Sequence, residues 1–315
     1  MYRLSIILHL SKNMNNLRKN LSLFFQAVAK NKKEIELILI DDASEQNVFK
    51  TISTVIDEYN INVRYVYVDQ ILGYGNAYNI GLQYSNADYV WFVATNHELN
   101  LDVLPVLLNA LNDGYDIFSF NLNDEIADNE SNLHLLLEKQ MIVRYCRSIS
   151  NKIIKKTFIL EHNLSFNSVK WYPALYIFNL LTNFQSWRHL NINLLSRQNH
   201  SVLIYNIYDL LSQIKLLYAL FEKYGLLEQY LDELCFWMTV ICLYSFLNSI
   251  YESHAINFRN KYKLMEKKKV IQLAIENAVR YLQTYFPDFQ NNKYVKLYKT
   301  KLLKYYIKAK QGLDW

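Results

Sequence analysis

Apolar and polar positions alternate with two different periods in the two halves of the chain. In the first half, 4-LSIILHL-10, 35-IELILIDDAS-44, 63-VRYVYV-68, Tyr89 to Val93 and 116-DIFSFNL-122 read as short buried strands. Helical periods lie between them. Asn13 to Lys30 places Leu17, Leu21, Phe24, Phe25 and Val28 on one face, and Phe49 to Tyr59 follows. A Gly-containing loop, 73-GYGNAYNIGLQYS-85, leads into a helix ending near Asn86, and Leu101 to Leu111 reads as a further helix. Strands that alternate with helices demand parallel pairing through helical crossovers, hence an α/β sheet covered on both faces. From about Tyr205 the strand signals stop and the periods become helical. Gly225, in 223-KYGLLEQY-230, marks a break between two helices. The pattern therefore predicts an α/β domain over residues 1–205 and a mostly helical region over 206–315.

Composition adds limits rather than a function. The chain has 315 residues, 51% of them hydrophobic, so it is globular and long enough for one large core or two modest ones. Three cysteines, Cys146, Cys235 and Cys242, are odd in number and lack metal-ligand spacing, which fits buried thiols in a reducing cytoplasm. The apolar part of MYRLSIILHLSKN is too short to span a membrane, and no signal-peptide pattern follows it. The run 234-LCFWMTVICLYSFL-247, about fourteen residues, suits a buried core helix. The formal charge of +5 is unevenly placed. From Arg259 to Trp315 there are about fourteen Lys or Arg against about four acids.

The candidate chemistry sits at strand ends. The strand over 35–44 closes on Asp41-Asp42, and the run from Tyr89 stops at Thr95-Asn96-His97-Glu98. Carboxyl ends of strands are where open α/β sheets hold ligands. Five stretches, in order, resemble the family-2 nucleotide-sugar glycosyltransferases. These are 4-LSIILHLSKNMNNLRKNLSLFFQA-27, 36-ELILIDDASEQN-47 with its Asp-Asp-x-Ser signature, and 73-GYGNAYNIGLQYSNADYVWF-92 with Gly-x-x-x-Ala-x-Asn-x-Gly. The last two are 148-SISNKIIKKTFILEHNLSF-166 with an Asn-Lys pair and N-x-x-F, and 195-LSRQNHSV-202 with Arg-x-x-x-Ser.

The resemblance implies a GT-A fold, a Rossmann-like nucleotide-diphospho-sugar transferase domain, followed by the helical C-terminal region. It implies a UDP-sugar donor and an inverting transfer to a glycan or lipid-linked acceptor. Asp42 would hold the uracil or ribose, Asp41 would support the loop, and Asn79, Arg197 and Ser201 would complete the nucleotide and diphosphate site. A carboxylate suits this role because it accepts charge-assisted hydrogen bonds from an imide N–H or sugar hydroxyls.

Two departures from the family pattern stand out. Where the family places Asp-x-Asp-Asp to hold Mn²⁺ or Mg²⁺, this chain reads 94-ATNH-97. Asn96, His97 and Glu98 occupy the metal corner, with Ala94 unable to ligate and imidazole a poor Mg²⁺ ligand. Where the family places a Glu-Asp pair whose Asp is the general base, this chain has Tyr172-Pro173. Asp124, Glu125 and Asp128 in 121-NLNDEIADNE-130 are the remaining candidates for the base, set against a solvated acidic loop. Two readings therefore stand: an active transferase of bacterial glycan or polysaccharide assembly, or a catalytically silent family member that scaffolds a partner transferase or binds glycan.

The stretch 293-KYVKLYKTKLLKYYIKAKQ-311 predicts a basic amphipathic helix with Val295, Tyr298, Leu302, Tyr305 and Ala309 on one side. It suits an anionic membrane surface, giving a cytoplasmic protein peripheral to the inner face of the membrane. It suits equally well packing on the domain, on a partner or on a second copy of the chain. The charge alone would fit nucleic acid, but no reading motif accompanies it, so nucleic acid is not an expected partner.

Overall fold

A computed structural model of the chain describes residues 2–10, 17–44, 47–95, 97–122, 148–166, 174–197, 207–245, 273 and 276–297. It divides into two compact units, Met1–Leu137 with Arg147–Gln198, and Glu138–Cys146 with Asn199–Trp315.

The first unit is built on one eight-stranded sheet. Its strands are β1 (Tyr2–Leu10), β2 (Ile35–Asp42), β3 (Val63–Val68), β4 (Ala87–Ala94), β5 (His97–Leu99), β6 (Ile117–Leu122), β7 (Lys152–Lys155) and β8 (Trp187–Arg197). Their order in the sheet is β3-β2-β1-β4-β7-β6-β8-β5. The four strands β3, β2, β1 and β4 are parallel, joined by helices α1 (Leu17–Lys30), α2 (Asn47–Tyr59) and α3 (Tyr74–Tyr84). Every residue of β2 is buried, as expected for an apolar run lying between two parallel neighbours.

Beyond β4 the expectation of a wholly parallel sheet fails. β7 runs antiparallel to both β4 and β6, and β5 runs antiparallel to β8. The crossover rule governs only strands joined through a helix in one sheet, and β4 passes to β5 with no helix between them. β5 and β7 are also too short, at three and four residues, to show a period of their own.

One core face of the sheet packs Leu4, Ile6, Leu8 and Leu10 of β1 against Leu21, Phe24, Phe25 and Val28 of α1. On the other face α3 approaches very closely. A Cβ placed on Gly81 would lie 2.3 Å from the Ile7 side chain, so only glycine lets the helix sit there. The helix expected over Leu101–Leu111 is α4 (Leu104–Ala110). Pro105 sits in its first turn, where a missing N–H costs nothing. A 3₁₀ turn, Leu111–Asp113, then ends at Gly114 with φ +76°.

In the second unit, helices Ile207–Lys223 and Leu227–Thr239 are separated at Gly225, which has φ +65°. The apolar run from Leu234 to Leu243 is buried, and its last turns widen into a π-helix, Val240–Ser245. Cys235 and Cys242 are buried free thiols there, and burial pushes Cys235 up to about 12. Among the described residues no helix is long and apolar enough to cross a membrane.

Of the predicted tail helix, the described part is Lys293–Leu297. Asn292 caps it, its Oδ1 accepting from the N–H groups of Tyr294 and Val295 at 3.0 and 3.1 Å. Val295 is fully buried, and the Tyr294 hydroxyl donates to Glu233 at 2.6 Å. The remainder of the stripe, Tyr298, Leu302, Tyr305 and Ala309, lies outside the described residues.

Candidate functional site

The parallel strands bring His9, Asp41, Asp42 and Ala94 to one edge of the sheet. His9 is in register with Ala94, and Leu10 with Asp41. Both aspartates are almost completely buried. Asp41 Oδ1 accepts from the Ser44 N–H at 2.9 Å, across a turn in which Ala43 has φ +53°. The Tyr65 hydroxyl donates to Asp41 Oδ2. Burial, then that bond to Asp41, pushes the Tyr65 phenol up.

Asp42 reaches across to the start of α3. Its Oδ1 accepts from the Leu72 N–H at 2.6 Å, and its Oδ2 accepts from the Gly73 N–H at 2.9 Å. His9 Nε2 lies 3.0 Å from the same Oδ2. Gly73, with φ +80°, is the residue that opens α3. Asp42 therefore serves as an anionic cap on that helix from 30 residues away. Burial pushes its carboxyl up, but His9 and the two N–H groups together outweigh burial and hold it below the usual carboxylate range. An ionised carboxylate offers about four acceptor positions; three are occupied, and one remains on Oδ1.

Asn79, expected at the nucleotide, gives both ends of its amide to Phe166. Its Nδ2 donates to the Phe166 carbonyl at 2.8 Å and its Oδ1 accepts from the Phe166 N–H at 2.9 Å. This ties the N-x-x-F element to α3 across 87 residues. Phe166 stacks on Tyr176 at 3.9 Å, and both rings pack against Phe92. The two motifs are thus one aromatic block on the sheet.

The β4–β5 corner is arranged differently. Ala94 carries no donor, and Thr95 donates its hydroxyl to the His9 carbonyl at 3.3 Å. His97 is buried, and its Nδ1 donates to the Ala94 carbonyl at 3.0 Å. Glu98 forms an ion pair with Lys19 of α1 at 3.1 Å. β5 pairs with β8 so that His97 faces Arg197 and Glu98 faces Ser196. That register brings two stretches 100 residues apart in the chain to one place, with the Arg197 backbone beside the corner. Asn96, Ser201, Asp124, Glu125, Asp128 and Tyr172-Pro173 lie outside the described residues.

A divalent cation of the Mg²⁺ or Mn²⁺ type requires several convergent oxygen donors. The described residues of the corner do not fit one: one position is alanine, one is a buried imidazole and one carboxylate is held by a lysine. Among the described residues no group of three or more His, Cys, Asp or Glu could hold a metal.

Two residues of this edge were not expected as partners of the aspartates. His9 is the next-to-last residue of β1, where the family pattern ends its first strand on Pro-x-Tyr-Asn and this chain reads 9-HLSK-12. Tyr65 lies in a strand of alternating tyrosines and valines, and only the pairing of β3 with β2 brings it to Asp41.

Residues 13–170 match the family described as Glycosyl transferase family 2. The match spans half of the chain, which therefore belongs to that family. Its fold is the GT-A type of nucleotide-sugar glycosyltransferase. The crystal structure of S. aureus TarS 1-349 in complex with UDP-GlcNAc is similar to it, with TM-score 0.61, 14% identity, and coverage of 99% of this chain and 93% of that one. The same S. aureus segment in complex with UDP gives 0.57 at 13% identity, covering 92% of each chain. S. aureus TarS without the segment boundaries gives 0.56 at 14%, covering 91% of this chain and 54% of that one. At this identity the likeness is one of fold. No curated protein sequence matches the chain.

Proposed function

We propose that this protein transfers a sugar, with inversion, from a UDP-sugar to the hydroxyl of a glycan or lipid-linked acceptor. The observation that carries the reading is the locked edge at β2 and α3. There Asp42 holds the Leu72–Gly73 turn and keeps one acceptor position on Oδ1. The nucleoside lies against this edge, with Asp42 accepting from the base or ribose and Asp41 keeping the 42–44 turn in place. Arg197, carried by β8 to the β4–β5 corner, and Ser201 meet the diphosphate.

In the transfer, the acceptor oxygen attacks the anomeric carbon as its bond to the diphosphate oxygen breaks. The hydroxyl proton passes to a carboxylate, for which Asp124, Glu125 and Asp128 are the candidates. No step is routed through a metal, because the described donors do not fit one.

Family membership and the basic stretch 293–311 support a setting in bacterial polysaccharide assembly, at the cytoplasmic face of the membrane. A partner transferase or a second copy of the chain is a further candidate for that stretch.

Calorimetric titration of UDP and UDP-GlcNAc into the full chain tests the reading. Saturable binding is expected, weakened about tenfold in Asp42→Asn, which keeps the shape but loses the charge. If neither ligand binds the wild type, the transferase reading fails and the catalytically silent subunit takes its place.

A further inference from the structure

β6 and β8 carry a hydrogen-bonded chain that the nucleotide edge does not use. Trp187 Nε1 donates to Ser119 Oγ at 2.8 Å, and Ser119 Oγ lies 2.9 Å from His189 Nδ1. His189 Nε2 lies 3.0 Å from Asn121 Oδ1, and Asn121 Nδ2 donates to Asn191 Oδ1 at 2.8 Å. The strand register builds this row, with Ser119 directly opposite His189 on β8 and Lys152 opposite Ser119 on β7. The chain starts in the core, where Ser119 is fully buried and Trp187 nearly so. It ends at Asn191, which is exposed.

The Asn121 Oδ1 can only accept, so His189 Nε2 donates to it. The neutral imidazole protonated there accepts at Nδ1 from the Ser119 hydroxyl, whose oxygen in turn accepts from the Trp187 indole N–H. Asn121 in turn directs its NH₂ to the oxygen of Asn191, which leaves the Asn191 NH₂ pointing away from the chain. The row thus ties the half-buried Asn121 amide and the exposed Asn191 amide to the buried Ser119 and Trp187.

Solvent satisfies a surface amide without help, so holding one in a single orientation stabilises little and costs side-chain entropy. Such orientation is what recognition requires of a binding group. The position also suits a ligand. Pairing passes from Phe120–Leu190 to Leu122–Leu195, so β8 carries extra residues in a bulge between them at the carboxyl end of β6. Asn100 pins the bulge through its N–H to the Leu194 carbonyl at 2.9 Å. Two antiparallel steps, β4 to β7 to β6, leave β6 parallel to β4, so these amides share an edge with the β4–β5 corner. None of the five hydrogen-bonded residues, Trp187, Ser119, His189, Asn121 and Asn191, is a carboxylate, guanidinium or ammonium. The group it orients is a neutral set of donors, matched to hydroxyls.

We propose that Asn121 and Asn191 form a subsite for a neutral, hydroxyl-bearing sugar ring of the acceptor, with His189 as a positioning residue. This rests on the transferase reading above.

The test applies the full chain to an array of immobilised neutral mono- and oligosaccharides, with UDP-GlcNAc calorimetry alongside. The wild type is expected to be retained by at least one neutral glycan. Asn121→Ala/Asn191→Ala should weaken that binding at least about tenfold, with unchanged UDP-GlcNAc affinity and melting temperature. His189→Ala should weaken glycan binding by a smaller factor. His189→Gln, which still offers an N–H to Asn121, should recover part of it, a rescue that a purely structural role would not produce. Retention of no neutral glycan by the wild type overturns the subsite, as does a double variant that binds like wild type. Loss of UDP-GlcNAc binding in the wild type strikes the transferase reading instead.

Discussion

β2 and β4 flank β1 in the sheet, and both end at the same edge, yet their ends have opposite characters. At β2 the family's acids are present, and every one is engaged: Asp41 by Ser44 and Tyr65, Asp42 by Leu72, Gly73 and His9. At β4 the acids are replaced, and the strand end is closed by pairing with β8 and by the contact of His97 with the Ala94 carbonyl. The difference teaches that a motif residue can be retained for architecture as much as for ligand. Asp42 builds the turn that opens α3. Glu98, an acid at the other corner, pairs with Lys19 near the surface.

Removing each acid breaks the comparison most sharply. Asp42→Ala strands two backbone N–H groups and His9 in a buried place, and should cost about 3 kcal/mol in chemical denaturation. Glu98→Ala removes a partly exposed ion pair and should change stability by less than about 1 kcal/mol. Equal effects from the two would show that the β2–α3 lock contributes no more than a surface contact.

The difference is legible in the sequence only in part. β1 to β4 and their helices follow from apolar spacing, because period and length are local properties. Gly225 likewise announces its turn, and its φ of +65° matches what glycine alone adopts freely. The partners of Asp42 were not legible, since they lie 30 residues away and meet it only because α3 packs onto β1 at Gly81. The same holds for Asn79. Its motif suggests a ligand contact, while the bonds its amide makes here, one N–H and one oxygen, go to the backbone of Phe166. Antiparallel β7 and the β8 bulge leave no trace in periodicity, because register is a property of pairs of strands.

Acid pH gives a second, smaller way to separate the two ends. Asp42 is held below its ordinary value of 3.8 in the folded protein, so the folded state favours its charged form. Its contribution is therefore fully present above the unfolded value and is lost as pH falls through the lower folded value. A pH series of denaturation midpoints should show stability declining below about pH 4. The decline should be shallower in Asp42→Asn, which has no proton to gain there. An identical slope in wild type and variant would mean that other carboxylates carry the acid response and that the His9–Asp42 contact is energetically slight.

The smallest expected effect concerns the cation. Ala94 offers no ligand, the His97 ring is buried against a backbone carbonyl, and Glu98 is committed to Lys19. Among the described residues, Mn²⁺ binding there would have to break the Glu98–Lys19 pair and expose a buried imidazole to gather even two donors, one of them nitrogen. Hard cations bind weakly to so few ligands. Titration of UDP-GlcNAc with Mn²⁺ and with EDTA should accordingly give affinities within about threefold of each other, a difference under about 1 kcal/mol. Charge on the diphosphate would then be met by protein cations, the role proposed for Arg197. Arg197→Lys should weaken donor binding equally in Mn²⁺ and in EDTA. A gain of a hundredfold or so with Mn²⁺ would correspond to about 3 kcal/mol. Such a gain would mean that the β4 end rearranges on binding to supply ligands, making it the adaptable corner and β2 the rigid one.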